Sequence, residues 1–354
     1  MRTELKYHHL TLPRKRFEIA TDVKNTAEVF IVEAREGDKV GFGSGTPAKS
    51  LADYPKKCAK QLEIASSSLY DSEQYFEDQT WIEIRKESPS AATAIDIAMW
   101  DLLSKQEGIS LTRLFGGNIQ NVETDATIDI KPPAEAHEEA KRLVDEGFKT
   151  IKIKVGTRIS DDLARVKTIR EAVGPRVKLF VDANGGFDKD MALKFWSQTS
   201  KYDLEFFEQP VPADKLADSA ELRKKHGMKI CADESIIDEE SLQKVINSEA
   251  ADVINIKLMK CGGLSSALEM EKMLRNAGLE LMIGCMGDVG FSIAAAAHLA
   301  SSKKAEHVDL DSHLNIEPVC NGPEVKKGSL LITDEPGLGV NLLNGWRRWS
   351  TRGI

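Results

Sequence analysis

TIKIK (residues 150–154), KLFVD (178–182), LEFFE (204–208), KICAD (229–233) and VINIK (253–257) have one feature in common: a mostly apolar run of strand length that closes on a charged side chain. ELMIGC (280–285) and HVD (307–309) continue the series, and Thr124–Ile128 precedes it. The closing residues Lys154, Asp182, Glu208, Asp233, Lys257, Cys285 and Asp309 lie 28, 26, 25, 24, 28 and 24 positions apart by subtraction, one strand plus one helix each time. Helical spacing occupies the gaps, as in Ala134–Glu146 and in Asp161–Val173, where Leu163, Val166, Ile169 and Val173 share a face. Eight strand-then-helix units, the eighth the faintest, predict an α/β fold with a parallel (β/α)8-type barrel. An open doubly wound sheet would carry a Gly-rich phosphate loop after its first strand. TDATIDIKPP (124–133) has none.

Outside the barrel the grammar is α+β. Val29–Val32 reads as strand, GDKVGFGSG (37–45) as a Gly-rich turn, and Leu51–Ala65 and Ser90–Gln106 as helices, the latter with Ala94, Ile97, Ala98, Leu102 and Leu103 at helical spacing. The tail beyond Glu317 is turn-rich, with PGLGV at 336–340. The expected organisation is a capping domain over 1–118, the barrel over 119–316, and a segment over 317–354 that returns to the cap.

A formal charge of −8 over 354 residues, with no basic stripe, speaks against nucleic acid as a partner. MRTELKYHHLTLPRKRF lacks the apolar core of a secretory signal, and the longest apolar stretch, Ile293–Ala300, is too short to span a bilayer. The five cysteines are scattered without a CxxC pair, which disfavours a disulfide framework or a zinc site. A cytoplasmic enzyme is expected. Neighbouring His8 and His9 face opposite ways on a strand and read as surface residues; His298, in an Ala-rich apolar pattern, reads as core.

In such a barrel the C-terminal strand ends converge on one mouth, where catalytic groups sit. Asp182, Glu208 and Asp233 would come from three neighbouring strands. One acid at a strand end more simply caps the following helix; three in a row repel unless a cation joins them, and all-oxygen ligation favours Mg²⁺. Lys154 and Lys257 flank the trio and can approach a metal-bound carboxylate substrate from opposite faces. A neighbouring cation and burial lower a lysine's pKa, which makes it a usable base. Lys152, two residues before Lys154 on the same strand face, can supply that cation or touch the substrate carboxylate. The expected chemistry is removal of a proton α to a carboxylate by one lysine and its return to the other face by the second.

TIKIKVG, VDANGGF, EQPV, ADES and INIKLMKCGG, in this order, resemble the enolase superfamily in its muconate-lactonising subgroup, and the resemblance runs the length of the chain. Asp309-Leu310-Asp311 at the eighth strand is similar to the Asp-x-Asp of dipeptide epimerases, including the L-Ala-D/L-Glu type. The resemblance implies that this pair binds the dipeptide's free ammonium, that Thr127, Cys285 and Met286 lie along the substrate, and that the C-terminal residue of the dipeptide is inverted. The chain departs from its relatives at Ser44, where a Glu is usual, and at Gly287 and Asp288 after the seventh strand. Asp22 stands where one type of Ala-Glu epimerase carries an arginine for the substrate's glutamate, so a neutral or cationic C-terminal residue is expected unless Arg16 or Lys24 restores the charge. Asp22 and Asp288 are therefore the specificity candidates. Alternatives within the subgroup are o-succinylbenzoate synthase, N-succinylamino acid racemase and muconate cycloisomerase; outside it, a metal-binding barrel without catalysis. Homo-oligomer formation is left open.

Overall fold

The computed structural model describes residues 2–19, 22–67, 70–71 and 79–350. The N-terminal part is an antiparallel meander of Arg2–Ile19, Asp22–Glu36 and Lys39–Gly45, with Tyr70–Asp71 paired to the outer side of the first strand. Three helices, Pro55–Ser66, Gln79–Glu87 and Pro89–Glu107, cover it. The first begins at Pro55 rather than at Leu51 because Lys49–Leu51 forms a short 3-10 turn, and proline suits the first helical position. The long helix starts where the Ser88 hydroxyl accepts the Ala91 N–H and ends at Gly108 in the left-handed region.

GDKVGFGSG is a turn only at its start. Lys39–Gly45 is a strand, and its glycines lie directly on helix Pro89–Glu107. A β-carbon on Gly41, Gly43 or Gly45 would sit 2.1 Å from the carbonyl oxygen of Ala98, Ala94 or Ser90 respectively. The glycine repeat therefore serves backbone-to-backbone packing rather than chain reversal. Ser44 faces the other way: its hydroxyl is buried 2.9 Å from that of Ser292 and accepts the Ser292 N–H. A serine there joins the cap to barrel helix Gly290–Lys303.

The second sheet contains eight parallel strands in sequence order: Ala126–Ile128, Thr150–Lys154, Lys178–Asp182, Leu204–Glu208, Ile230–Ala232, Val253–Lys257, Glu280–Gly284 and His307–Asp309. Five of these match the sequence reading to the residue, and the other three are shorter at one or both ends. The barrel is nearly closed. Across the seam between its first and eighth strands, the Asp125 N–H donates to Val308 O at 3.1 Å and the Leu310 N–H to Thr124 Oγ1 at 2.9 Å. The eighth unit holds a 3-10 turn, Ser312–Asn315, where a helix was expected. Inside the barrel Phe180, Phe206, Cys231, Val253 and Met282 form their own apolar floor, with the Phe180 and Phe206 rings 4.5 Å apart.

Buried acids tie the parts together. Asp101 accepts the N–H groups of Phe42 and Leu338, joining the meander and the tail to helix Pro89–Glu107. Asp96, one turn earlier, accepts the Leu264 and Ser265 N–H groups and so caps barrel helix Leu264–Asn276. Beyond Glu317 the chain pairs Ser329–Leu330 with Val122–Glu123 beneath the barrel and bridges Ser350 to Leu10. His298 is 1% exposed with Thr112 Oγ1 at 2.7 Å, as a core histidine should be. His8 and His9 pair with Glu33 and Glu28 on opposite faces. All five cysteines are free and buried. Among the described residues no helix is long and apolar enough to cross a membrane.

Candidate active site

Strand register builds the site. Lys154 pairs with Asp182 and Asp182 with Glu208 along one row, while Lys257 pairs with Gly284 and Gly284 with Asp309 along another. Because alternate residues share a face, Lys152 enters the barrel below Lys154 and Asn255 below Lys257. Gly284 leaves room for Asn255, whose Oδ1 would lie 2.4 Å from a β-carbon at that position. The Asn255 side chain then donates to Glu208 Oε1 at 2.9 Å.

Asp182, Glu208 and Asp233 are buried, and one oxygen of each lies within 4.8 Å of the others. Burial, then the charge of Asp182, pushes the Glu208 carboxyl up to about 7. Burial acts the same way on Asp182, but Lys152 and Lys154 hold its carboxyl at about 2. Asp233 is likewise kept low, against burial, by Lys257 and Lys260. Three hard oxygen donors with one pressed toward protonation suit a divalent cation of the Mg²⁺ kind. These residues fit that ion.

The amines stand close by. Lys154 Nζ is 2.6 Å from Asp182 Oδ2 and 3.2 Å from Asn184 Oδ1. Lys257 Nζ is 2.8 Å from Asp233 Oδ2 and 4.0 Å from Glu208 Oε1. Lys152 Nζ meets Asp309 at 2.7 Å, Glu208 at 2.8 Å and Asp182 at 3.0 Å. The two flanking lysines thus lie at opposite ends of the acidic trio.

Cys285, Asp309 and Asp311 form a second buried cluster. Burial, then Asp309 and Asp311, pushes the Cys285 thiol well up. Asp311 Oδ2 accepts the Thr127 N–H at 2.7 Å, and burial together with Asp309 raises its carboxyl. Thr127, Lys152, Lys154, Lys257, Cys285, Met286, Asp309 and Asp311 all line an inner chamber of about 40 Å³. It shares Arg14, Phe17, Lys154, Lys257, Cys285 and Met286 with an outer chamber of about 700 Å³, whose wall includes Leu51, Pro212 and Ile237.

The specificity candidates fare differently. Asp288 Oδ2 accepts the Met286 N–H at 2.7 Å, so it shapes the wall from behind. Asp22 opens the second strand opposite Ile19, and its side chain, like that of Lys24, lies outside the described residues. Arg16 is exposed on Glu18 and does not enter the cavity; Arg14 does, its guanidinium 5.0 Å over the Phe17 ring. The strand-end rule also passed over Lys260, whose Nζ lies 2.5 Å from Asp233 Oδ1, and Gln209, whose Oε1 accepts the Asp233 N–H at 3.0 Å.

Residues 2–116 match the family described as "Mandelate racemase / muconate lactonizing enzyme, N-terminal domain", and residues 135–345 match "Enolase C-terminal domain-like". The chain belongs to this enolase-type family. Within the mandelate racemase / muconate lactonizing family it is 36% identical over 340 residues to a hydrophobic dipeptide epimerase of Enterococcus faecalis, covering 93% of this chain and 96% of that one. It is 30% identical over 257 residues to an N-succinyl-L-Arg/Lys racemase of Bacillus cereus, covering 72% of this chain and 70% of that one. The solved dipeptide epimerase of E. faecalis V583, complexed with Mg and L-Leu-L-Tyr, superposes with a TM-score of 0.91 at 33% identity, covering 96% of this chain and 99% of that one.

Proposed function

We propose that the protein is a Mg²⁺-dependent isomerase that inverts the α-carbon of the C-terminal residue of a dipeptide by proton transfer through two lysines. One observation carries this reading: the inner chamber has carboxylates Asp309 and Asp311 at one end and Lys154 and Lys257 at the other, where these amines stand on Asp182 and Asp233 of the acidic trio. The first end suits a free ammonium, the second a carboxylate brought to a cation.

Mg²⁺ held by Asp182, Glu208 and Asp233 would supply the electrostatic pull that acidifies the neighbouring α-proton. The chain's own groups do the rest. Lys154 and Lys257 approach the α-carbon from the two ends of the trio. One then takes the α-proton and the other, protonated, returns one to the opposite face. Lys152 faces the negative charge that builds on the substrate carboxylate. Asp309 and Asp311 anchor the ammonium through charge-assisted hydrogen bonds, and Cys285 and Met286 form the wall beside it.

Phe17, Leu51, Ile237 and Met286 give the outer chamber an apolar wall, which supports a neutral and apolar C-terminal side chain. The aspartate at position 22 argues against an acidic side chain there and suits a neutral or cationic one. The test is mass-spectrometric deuterium incorporation from D₂O across a dipeptide library with Mg²⁺. Exchange restricted to dipeptides with neutral C-terminal residues is expected. A clear preference for L-Ala-L-Glu would remove the side-chain assignment, and no exchange in any dipeptide would remove the whole reading.

The second reading is an N-succinylamino acid racemase, favoured by the identity with the B. cereus enzyme. Its substrate carries no free α-ammonium for Asp309 and Asp311, since the α-nitrogen is acylated. Asp309→Ala separates the two: dipeptide turnover should fall through a raised KM, whereas racemisation of an N-succinylamino acid, or cycloisomerisation, would not depend on this carboxylate.

A further inference from the structure

We infer that Lys152 is an internal competitor for the ammonium subsite and makes recognition conditional on a ligand that carries both an ammonium and a carboxylate. This rests on the dipeptide reading above and deepens it. Lys152 is 1% exposed, and its one ammonium group spans both ends of the cavity. At 2.8 and 3.0 Å it contacts Glu208 and Asp182 of the trio; at 2.7 Å it contacts Asp309 Oδ2.

Asp309 is therefore already occupied by a cation of the protein. Its partner Asp311 is committed at one oxygen to the Thr127 N–H. An arriving ammonium must share Asp309 with Lys152 or displace it, and two cations on one buried carboxylate repel. Once Asp182 and Glu208 serve as metal ligands, the buried Lys152 amine, which needs an anion, keeps Asp309; Asp125, whose charge also reaches it, makes no hydrogen bond with it. A carboxylate delivered to the trio supplies that anion. Lys152 can then turn toward it and release Asp309. A lone amine meets an occupied subsite, and an N-acylated amino acid frees a subsite that it cannot use. A zwitterion of dipeptide length does both.

The experiment is isothermal titration calorimetry on the Mg²⁺-loaded protein with L-alaninamide, which has the ammonium but no carboxylate, with and without saturating acetate. Acetate should tighten L-alaninamide binding about tenfold in the unaltered protein. Lys152→Met, verified by circular dichroism and Mg²⁺ titration, should bind L-alaninamide about tenfold more tightly than the parent without acetate, and acetate should have no further effect. Binding to the parent that ignores acetate, or weaker binding to Lys152→Met, overturns the inference. If that variant does not fold, the acetate response of the parent decides alone. Asp309→Asn separates the two levels: it should abolish L-alaninamide binding, and unchanged binding there, or none to either the parent or Lys152→Met, overturns the ammonium subsite itself and the inference with it.

Discussion

Lys154 and Lys257 reach the acidic trio from its two ends, and in the proposed mechanism each addresses one face of a carbon held between them. Lys154→Ala and Lys257→Ala should each lower epimerisation by about 10²–10⁴-fold. Each should still exchange the α-proton of one stereoisomer, because the remaining lysine keeps its own face. Proton NMR in D₂O, begun separately from each diastereomer, reads this; a single variant that inverts the centre at the parent rate would refute the two-base assignment. The groups found in the sequence were those at strand ends, where apolar runs stop on a charge. Lys260 escaped because it follows Lys257 by three residues, on the short helix Leu258–Cys261 that folds back over Asp233. Asn255 was within reach of the alternation rule that placed Lys152, but an amide in an apolar run looks like a neutral filler. Only the tertiary pairing with Glu208 shows its use.

At the scale of elements, the glycine strand makes the sharpest prediction. Gly43→Ala would drive a β-carbon to 2.1 Å from Ala94 O, and neither backbone can yield locally. A loss of about 1–3 kcal/mol or more is expected in urea denaturation, the range of an overpacked core. Gly37→Ala, at the preceding turn with φ +62° and open space around its α-carbon, should cost only the left-handed backbone penalty of about 1–2 kcal/mol and leave the cap seated. Sequence periodicity recovered Thr150–Lys154, Lys178–Asp182 and Val253–Lys257 to the residue because β-branched and apolar residues end sharply at a charge there. It misread GDKVGFGSG, since glycines signal turns in isolation and reveal a packed strand only when the helix beneath them is known. The missing eighth helix was foreshadowed by the faint pattern after His307–Asp309, where Ser312–Asn315 turns the chain back toward the cap.

For the whole molecule, the crowding of Asp182, Glu208 and Asp233 couples the cation to folding. Mg²⁺ at about 100 times its dissociation constant should stabilise the protein by about 2.7 kcal/mol, and EDTA should reverse the shift in melting temperature. No shift would contradict a site on these acids. Acid should act through His298 and His313, which burial lowers to about 4 from an ordinary 6.5. Their neutral forms stabilise the fold fully above pH 6.5, and that contribution, at most about 3 kcal/mol each, is lost as pH falls through 4. Asp96 works in the opposite sense: burial pushes it up from 3.8 to about 7, so its contribution is lost as pH rises through that value. Denaturation midpoints from pH 7 to pH 4 should fall less steeply for His298→Asn than for the parent; an unchanged slope would discount that histidine. The oxygen of Asp311 that accepts the Thr127 amide reaches from the eighth strand to the first. The proposed ammonium subsite is thus also the clasp of the barrel stave ring, and a ligand that tightens on Asp311 would tug at the last join of the cylinder. Amide exchange at Thr127 would be the place to hear that tug.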